Sequence, residues 1–280
     1  MLWRTLGFIK KTMRYQESEK EKLDNLIDIL RGLGSVVLAY SGGVDSTFLL
    51  RAISISGIRA VAVTSNSETM PEWDLKDSIF YASVFGVRHV IIQKDGLKNK
   101  EFIRNSKDRC FHCKDELFRE LKNIASEEGY NAVVDGSTID DLSDYRPGME
   151  AKERHGVKSP LIEAGLRKED IRAYLKEQGI PIWDKPSSPC LSSRIPYGTP
   201  ITIDTLRRIA SSEAYLRALG FRQLRVRHFG KEARVEVAEE EIHRAFEKRK
   251  EIIDGIKRAG YEVVTLDLEG LRSGKLNLYL

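Results

Sequence analysis

The sequence predicts an α/β protein built on a doubly wound parallel sheet, with a smaller α+β domain at its C-terminal end. Uniformly apolar runs of strand length alternate with amphipathic stretches of helical period, which suits strands buried between two layers of helices. A small-residue turn, "SGGVDS", sits where the first apolar run passes into its helix. Beyond Pro200 the order changes to helix, two adjacent strands, helix and strand, the pattern of a separate small domain.

The elements follow in order. A charged helical stretch, "EKEKLDNLIDILRGLG", leads into the strand "SVVLAY", the turn, and the helix "TFLLRAISISG". Next come the strand "IRAVAVTSN", a helix from Glu72 to Phe85, the strand "VRHVIIQKD", a long helix over the 110 region and the strand "YNAVVDGST". Between Thr138 and Pro200 the chain is rich in Pro, Gly, Ser and Asp around one helix, "RKEDIRAYLKEQGI". Loops of that length usually carry function. The last part holds the helix "IDTLRRIASSEAYLRALG", the strands "FRQLRVRHF" and "ARVEVA", a charged helix and the strand "YEVVTLDL". With the boundary near Tyr197 to Thr202, the expected division is a flexible leader over 1–20, a nucleotide-binding domain with the cysteines over 21–199, and an α+β substrate or oligomerisation domain over 200–280.

Composition narrows the function classes. The chain has 280 residues, 41% hydrophobic and 31% charged, which is globular rather than disordered. Its 46 Lys and Arg against 42 Asp and Glu leave a net charge of +4, too little to argue for a nucleic-acid partner. The opening "MLWRTLGFIKKTMRYQ" has neither the apolar core nor the cleavage site of a signal peptide, and Met13 is an alternative start. No later run approaches the length of a membrane span. An odd count of 3 cysteines argues against a disulfide framework, and the expectation is a cytoplasmic protein with reduced thiols.

The turn Ser41–Ser46 sits where the physics favours an anion, the competing reading of its glycine pair being a capped helix start after a strand, as in any doubly wound fold. Gly42 and Gly43 allow a tight turn and close backbone approach, and the N–H groups and dipole of the helix start point at the ligand. Ser41 and Ser46 add hydroxyl groups. Asp45 is expected to orient the loop or to help hold Mg²⁺, since an acid beside phosphates needs a cation or a capping role. The loop has no Lys-Ser/Thr of a Walker sequence, which argues against γ-phosphate transfer.

Cys110 and Cys113 form a C-x-x-C pair in "DRCFHCKDELF", and Cys190 sits in "SSPCLSSRIPYG". The plainest reading is three buried thiols packed as small hydrophobes. The pair points both sulfurs to one side, and neighbours Arg109 and Lys114 favour thiolate. Three explanations stay open on spacing alone. One is an iron–sulfur cluster held by three cysteines with one open iron; another is a zinc site completed by His112, a second His or water; the weakest is a redox disulfide between Cys110 and Cys113.

Arg225 and Arg227 alternate in "LRVRHF", so a strand points both to one face, and Arg194 lies four residues after Cys190. Clustered guanidinium groups suit a phosphate. The competing reading is a solvated strand face with ion pairs to Glu232 or Glu236. His89, His112, His155, His228 and His243 form no ligand pair, and none is assigned a role. Trp183 and Tyr197, flanking the Cys190 loop, are expected to pack.

The turn "SGGVDS" resembles the pyrophosphate loop (PP-loop) of the ATP pyrophosphatase superfamily, whose members include NAD synthetases and tRNA thiolases. That resemblance implies an adenine nucleotide alpha hydrolase-like fold and cleavage of ATP, with Mg²⁺, to AMP and pyrophosphate. Together with "DGSTIDDLSDYRPGMEA", "GVKSPLIEAGLRKEDIRAYLKEQGIPIWDKPSSPCLSSRIPYG" and "LGFRQLRVRHFGKEARVEV", it is similar to the LarE family, sulfur transferases that help build the nickel-pincer nucleotide cofactor of lactate racemase. The likeness runs over most of Leu23 to Leu268, and departs from the family at Thr138, where the pattern has Asn.

What this implies is adenylation of a carboxylate on a pyridinium dicarboxylate mononucleotide, then sulfur insertion. In some members one cysteine, matched by Cys190, is a sacrificial donor. In members that resemble this chain, three cysteines, here Cys110, Cys113 and Cys190, hold a [4Fe-4S] cluster whose open iron delivers sulfide. The resemblance also implies substrate-phosphate binding by Ser193, Arg194, Arg225 and Arg227, a metal-binding or substrate-positioning role for Glu213 unless it is a helix-surface carboxylate, and a homo-oligomer. The rival functions are tRNA thiolation by the same chemistry, expected to need a broader basic surface, and a zinc-stabilised nucleotide-binding module.

Overall fold

The computed structural model describes residues 20–142, 147–272 and Lys275, so the leader expected over 1–20, with Met13, falls outside the described residues but for Lys20. Among the described residues no helix is long and apolar enough to cross a membrane.

The chain runs from a helix over residues 20–33 (α1) through β1 (Ser35–Ala39), α2 (Val44–Ser56), β2 (Arg59–Asn66), α3 (Glu72–Val84) and β3 (Arg88–Gln93). It continues with α4 (Lys100–Ile103), α5 (Arg109–Glu128), β4 (Ala132–Asp135), α6 (Pro147–Arg154), α7 (Pro160–Glu163) and α8 (Lys168–Glu177). The remainder is α9 (Ile203–Ala218), β5 (Leu224–Phe229), β6 (Glu232–Val237), α10 (Ile242–Glu247), α11 (Arg249–Arg258) and β7 (Val263–Leu266). These match the expected elements closely, since long periodic segments declare themselves locally.

Two compact units emerge. The first takes the chain up to Asn66, Glu72–Gln93 and Lys114–Lys185; the second takes Ser67–Pro71, Lys94–Cys113 and the chain from Pro186. The second unit therefore collects all three cysteines, which the expected division had given to the first domain, and the division after Lys185 falls before the boundary expected near Tyr197 to Thr202.

The first unit is a parallel sheet in the order β3-β2-β1-β4. β1 is central because Val36, Val37 and Leu38 are fully buried, with Val37 in register with Val61 on one side and Val133 on the other. The chain steps outward from β1 to β2 and β3, then returns to place β4 on the opposite side. That reversal opens a crevice beyond the carboxyl ends of β1 and β4, the place where such sheets bind ligands. Leu26, Leu30, Phe48, Leu49, Ile53, Leu161, Ile171 and Leu175 belong to the core of this unit.

The second unit carries a three-stranded sheet in the order β5-β6-β7. β5 and β6 form an antiparallel hairpin, and β7 joins β6 in parallel after the crossover through α10 and α11. Phe221, Val226, Val235, Val237, Ile252 and Ile256 form one cluster under this sheet. A second cluster joins Phe102, Leu191, Ile195, Ile201, Leu206 and Ile209, with Cys113 packed against it.

Candidate functional site

The turn after β1 has the geometry an anion requires. Gly42 has φ +69, and a Cβ there would lie 2.3 Å from the Asp74 carbonyl, so only glycine is accommodated. Gly43 is the N-cap of α2 and no side chain caps the helix, which leaves N–H groups of the first turn for a ligand. Ser41 and Ser46 meet through their hydroxyls at 3.0 Å, and the Gly43 N–H donates to Ser41 Oγ at 3.3 Å. After β4, Gly136 lies so close that a Cβ would sit 2.9 Å from the Ser46 N and Cα. The loops after β1 and β4 thus pack backbone to backbone at the crevice.

Asp45 sits in the first turn of α2, and burial pushes its carboxyl up to about 6, against the pull of Lys168. Asp141 and Asp140 add to the upward shift, while Arg172 opposes it. Thr138, the departure from the family pattern, has a structural use of its own. Its N–H and Oγ1 both donate to Asp141 Oδ2, at 2.9 and 3.2 Å, capping the 3-10 turn Ile139–Asp141.

Around β4 lies a buried polar chain to which the sequence assigned no role. Lys152 Nζ donates to Ser159 Oγ at 2.8 Å, Ser159 Oγ donates to Asp135 Oδ1 at 2.5 Å, and Ser137 Oγ donates to Asp135 Oδ2 at 2.6 Å. This chain fixes the turn that carries Gly136 against Ser46. Trp183 packs against the first unit's core with Lys176 over its ring, as expected of an aromatic at this place.

In the second unit, Asn105 ties the segment before α5 to the loop after Cys190. Its side chain donates to the carbonyls of Pro196 and Thr199, each at 2.8 Å, and its own carbonyl accepts from the Gly198 N–H. Asn105 is the one described non-glycine residue with positive φ, at 54°, a conformation asparagine tolerates. Its Oδ1 accepts from buried Arg109, whose guanidinium lies 4.5 Å from the Tyr197 ring centroid. Arg109 therefore serves this packing, and Tyr197 packs as expected.

That frame sets Cys110 and Cys113 on the first turn of α5 and Cys190 at the start of the 3-10 turn Leu191–Arg194. Cys110 and Cys190 are exposed, Cys113 is half-buried, and none is in a disulfide. Cys190 Sγ is hydrogen-bonded to the buried Ser192 hydroxyl at 3.0 Å. The reading of three buried thiols fails on these exposures. Cys113 packs against the apolar cluster that includes Leu191, the residue after Cys190, and three thiolates are donors of the soft kind that thiophilic metals take. Among the described residues, however, no three His, Cys, Asp or Glu side chains are drawn together as ligands to a metal ion.

The arginines divide sharply. Arg194 is 1% exposed and forks onto Glu213, Nε to Oε1 at 2.8 Å and Nη2 to Oε2 at 2.9 Å. Its Nη1 donates to the carbonyls of Pro189 and Cys190, fixing the cysteine turn from inside. Arg227 forks onto Glu236 at 3.0 and 2.9 Å and donates to the Ser193 carbonyl at 2.8 Å. Arg225 is 7% exposed and hydrogen-bonds to no carboxylate among the described residues. Burial, then the neighbouring Arg227 and Arg194, lower its guanidinium to about 10.

Of the two readings of this strand face, the ion pair to Glu236 is present, made by Arg227, but on a buried rather than a solvated face. Strand alternation places Arg225 and Arg227 on one face without revealing which acid packs beside which. Glu213 is fully buried and also accepts the Val226 N–H at 3.0 Å, so it is no helix-surface carboxylate. Of the expected residues, the structure brings Ser193, Arg194, Glu213, Arg225 and Arg227 to one cluster. Ser41, Gly42, Gly43, Asp45 and Ser46 form a second, in the first unit.

A scan of the chain against protein-family profiles finds no match. Individual proteins do match over nearly the full length. The chain is 41% identical over 93% of its length to an uncharacterised protein of Synechocystis, covering 98% of that protein. It is 36% identical over 91% of its length to the pyridinium-3,5-bisthiocarboxylic acid mononucleotide synthase of Lactiplantibacillus plantarum, covering 94% of that chain. A tRNA-specific 2-thiouridylase of Azorhizobium caulinodans matches at 27% identity over 55% of this chain and 49% of its own.

Proposed function

Because this chain belongs to the LarE family of ATP-using sulfur transferases, we propose that it inserts sulfur into the carboxylates of a pyridinium dicarboxylate mononucleotide for nickel-pincer cofactor synthesis. The observation that carries the reading is the turn Ser41–Ser46, with Gly42 at φ +69 and an uncapped α2, in a chain of which 91% matches a bisthiocarboxylic acid mononucleotide synthase. The match to a tRNA thiolase covers half of each chain, which favours the small nucleotide over tRNA.

In this reading the N–H groups at the start of α2, with Ser41 and Ser46, bind the phosphates of ATP, and Asp45 holds Mg²⁺. A carboxylate oxygen of the substrate attacks the α-phosphorus, the bond to the β-phosphate oxygen breaks, and pyrophosphate leaves with its electron pair. The acyl adenylate then exchanges AMP for sulfur. Arg225 and Ser193 bind the phosphate of the nucleotide substrate, since Arg225 is the buried guanidinium of this cluster that hydrogen-bonds to no carboxylate among the described residues. Arg194 and Arg227, neutralised by Glu213 and Glu236, position the turn that carries Cys190 and Ser193.

Cys110, Cys113 and Cys190 would hold a [4Fe-4S] cluster, which when bound supplies sulfide from an iron no cysteine ligates. The chain's own part is to hold the Cys190 turn in place through Arg194, which bonds the Pro189 and Cys190 carbonyls. The test is to incubate anaerobically reconstituted protein with MgATP, sulfide and the dicarboxylate mononucleotide. AMP, pyrophosphate and a mass gain of sulfur for oxygen are expected. AMP release without sulfur in the product would leave adenylation and overturn sulfur insertion, and no AMP would overturn both.

A further inference from the structure

In the first unit a lysine far along the sequence grips the phosphate-binding turn. Lys185 Nζ donates to the Gly42 carbonyl at 2.9 Å and lies 2.6 Å from both Asp74 Oδ1 and Asp77 Oδ2. The ammonium group donates to the Gly42 carbonyl and to Asp77 Oδ2, and Asp74 Oδ1 is its ion-pair partner. The base of the side chain is itself clamped, because Arg172 donates to the carbonyls of Trp183 and Lys185 and the Lys185 N–H donates to Ile182.

The acidic pair stands where a polyanion is least welcome. Asp74 and Asp77 share one face of α3, three residues apart, and the Asp74 backbone abuts Gly42 so closely that no Cβ fits between them. Asp74 is buried and Asp77 is 39% exposed. Two carboxylates at that distance from an anion-binding turn repel phosphate unless a cation offsets them. Lys185 supplies the cation, and its bond to the Gly42 carbonyl also keeps that acceptor occupied, so that the turn offers N–H donors.

We propose that Lys185 is the positioning residue of the phosphate loop, neutralising Asp74 and Asp77 and fixing the Gly42 carbonyl so that the turn is preorganised for the triphosphate. This inference rests on the reading of Ser41–Ser46 as an ATP site. Lys185 acts through the loop and the acids and is not itself placed on the nucleotide.

The experiment is calorimetric titration of the full chain with MgATP, with a thermal melt of each variant. Wild type is expected to bind. Lys185→Met is expected to weaken binding by about tenfold or more, Lys185→Arg to recover part of it, and Asp77→Asn in the Lys185→Met background to recover at least about threefold by removing the repulsion. Asp77→Asn alone, at a half-exposed site that tolerates the change, is expected to tighten MgATP about twofold to fivefold. A Lys185→Met affinity within about twofold of wild type would overturn the inference. So would weakening that neither Arg nor Asp77→Asn relieves, the mark of a merely structural lysine, or an Asp77→Asn affinity no better than wild type. If wild type itself binds no MgATP, the ATP-site reading falls and takes this inference with it.

Discussion

Arg194 and Glu213 face each other through two parallel bonds of 2.8 and 2.9 Å, with side chains 1% and 0% exposed. The pair ties α9 to the turn that begins at Cys190, because the same guanidinium holds the Pro189 and Cys190 carbonyls. Removing one partner of a buried pair strands the other charge without water. Glu213→Gln is therefore expected to lower unfolding free energy by about 3 kcal/mol, read by urea titration. The double change Glu213→Leu with Arg194→Met should recover much of that loss. A cost below about 1 kcal/mol for Glu213→Gln would show that the pair is not needed for the fold.

Arg225 and Arg227 should respond oppositely to the same change. Arg225→Gln removes a guanidinium with no carboxylate bond, so the melting temperature should hold while KM for the nucleotide substrate rises about 10- to 100-fold, the worth of a charge-assisted phosphate contact. Arg227→Gln strands buried Glu236 and should cost stability first. Equal effects of the two on substrate KM would contradict this division.

Asp45 offers a pH test. Its folded value of about 6 lies above the ordinary 3.8, so the folded state holds the proton more tightly than the unfolded chain. The stability this contributes is fully present below the unfolded value and is lost as pH rises through about 6. Asp45→Asn escapes the loss and should be about 2 kcal/mol more stable than wild type at neutral pH, with the gap closing toward pH about 4. The same variant should bind MgATP more weakly. Denaturant titrations that show a constant gap across this range would reject burial of an ionised Asp45 as the cause.

Gly136→Ala places a methyl 2.9 Å from backbone atoms of Ser46, which cannot swing aside. The expected result is a loss of MgATP affinity of about tenfold or more with a folded core, since misplacement of a binding element by a fraction of an ångström is costly. Circular dichroism establishes folding and titration reads the loss. Wild-type affinity in this variant would mean the two loops need not pack as they do.

Cys190→Ala should abolish both iron retention and sulfur transfer while AMP formation persists, because the proposed ATP-binding residues Ser41–Ser46 belong to the other unit and the phosphate ligands Ser193 and Arg225 are unchanged. Iron and acid-labile sulfide after anaerobic reconstitution should approach about four of each per wild-type chain. Stoichiometric zinc without iron would turn attention to a structural zinc site or to loss of sulfur mass at Cys190.

The sequence by itself determined the layers of this protein. Strand and helix periods, the glycine turn after β1 and the C-x-x-C spacing are local patterns, and each is set by neighbours a few residues away. The family likeness was equally legible, because it is carried by continuous strings such as that around Cys190. Only the tertiary structure decided which charges cancel. Glu213 lies 19 residues from Arg194, and Lys185 lies 143 from Gly42. No local period links such partners. They meet because buried charges must find counter-charges wherever packing brings them together, and that packing left Arg225 without a carboxylate hydrogen bond among the described residues while pairing Lys185 with two acids.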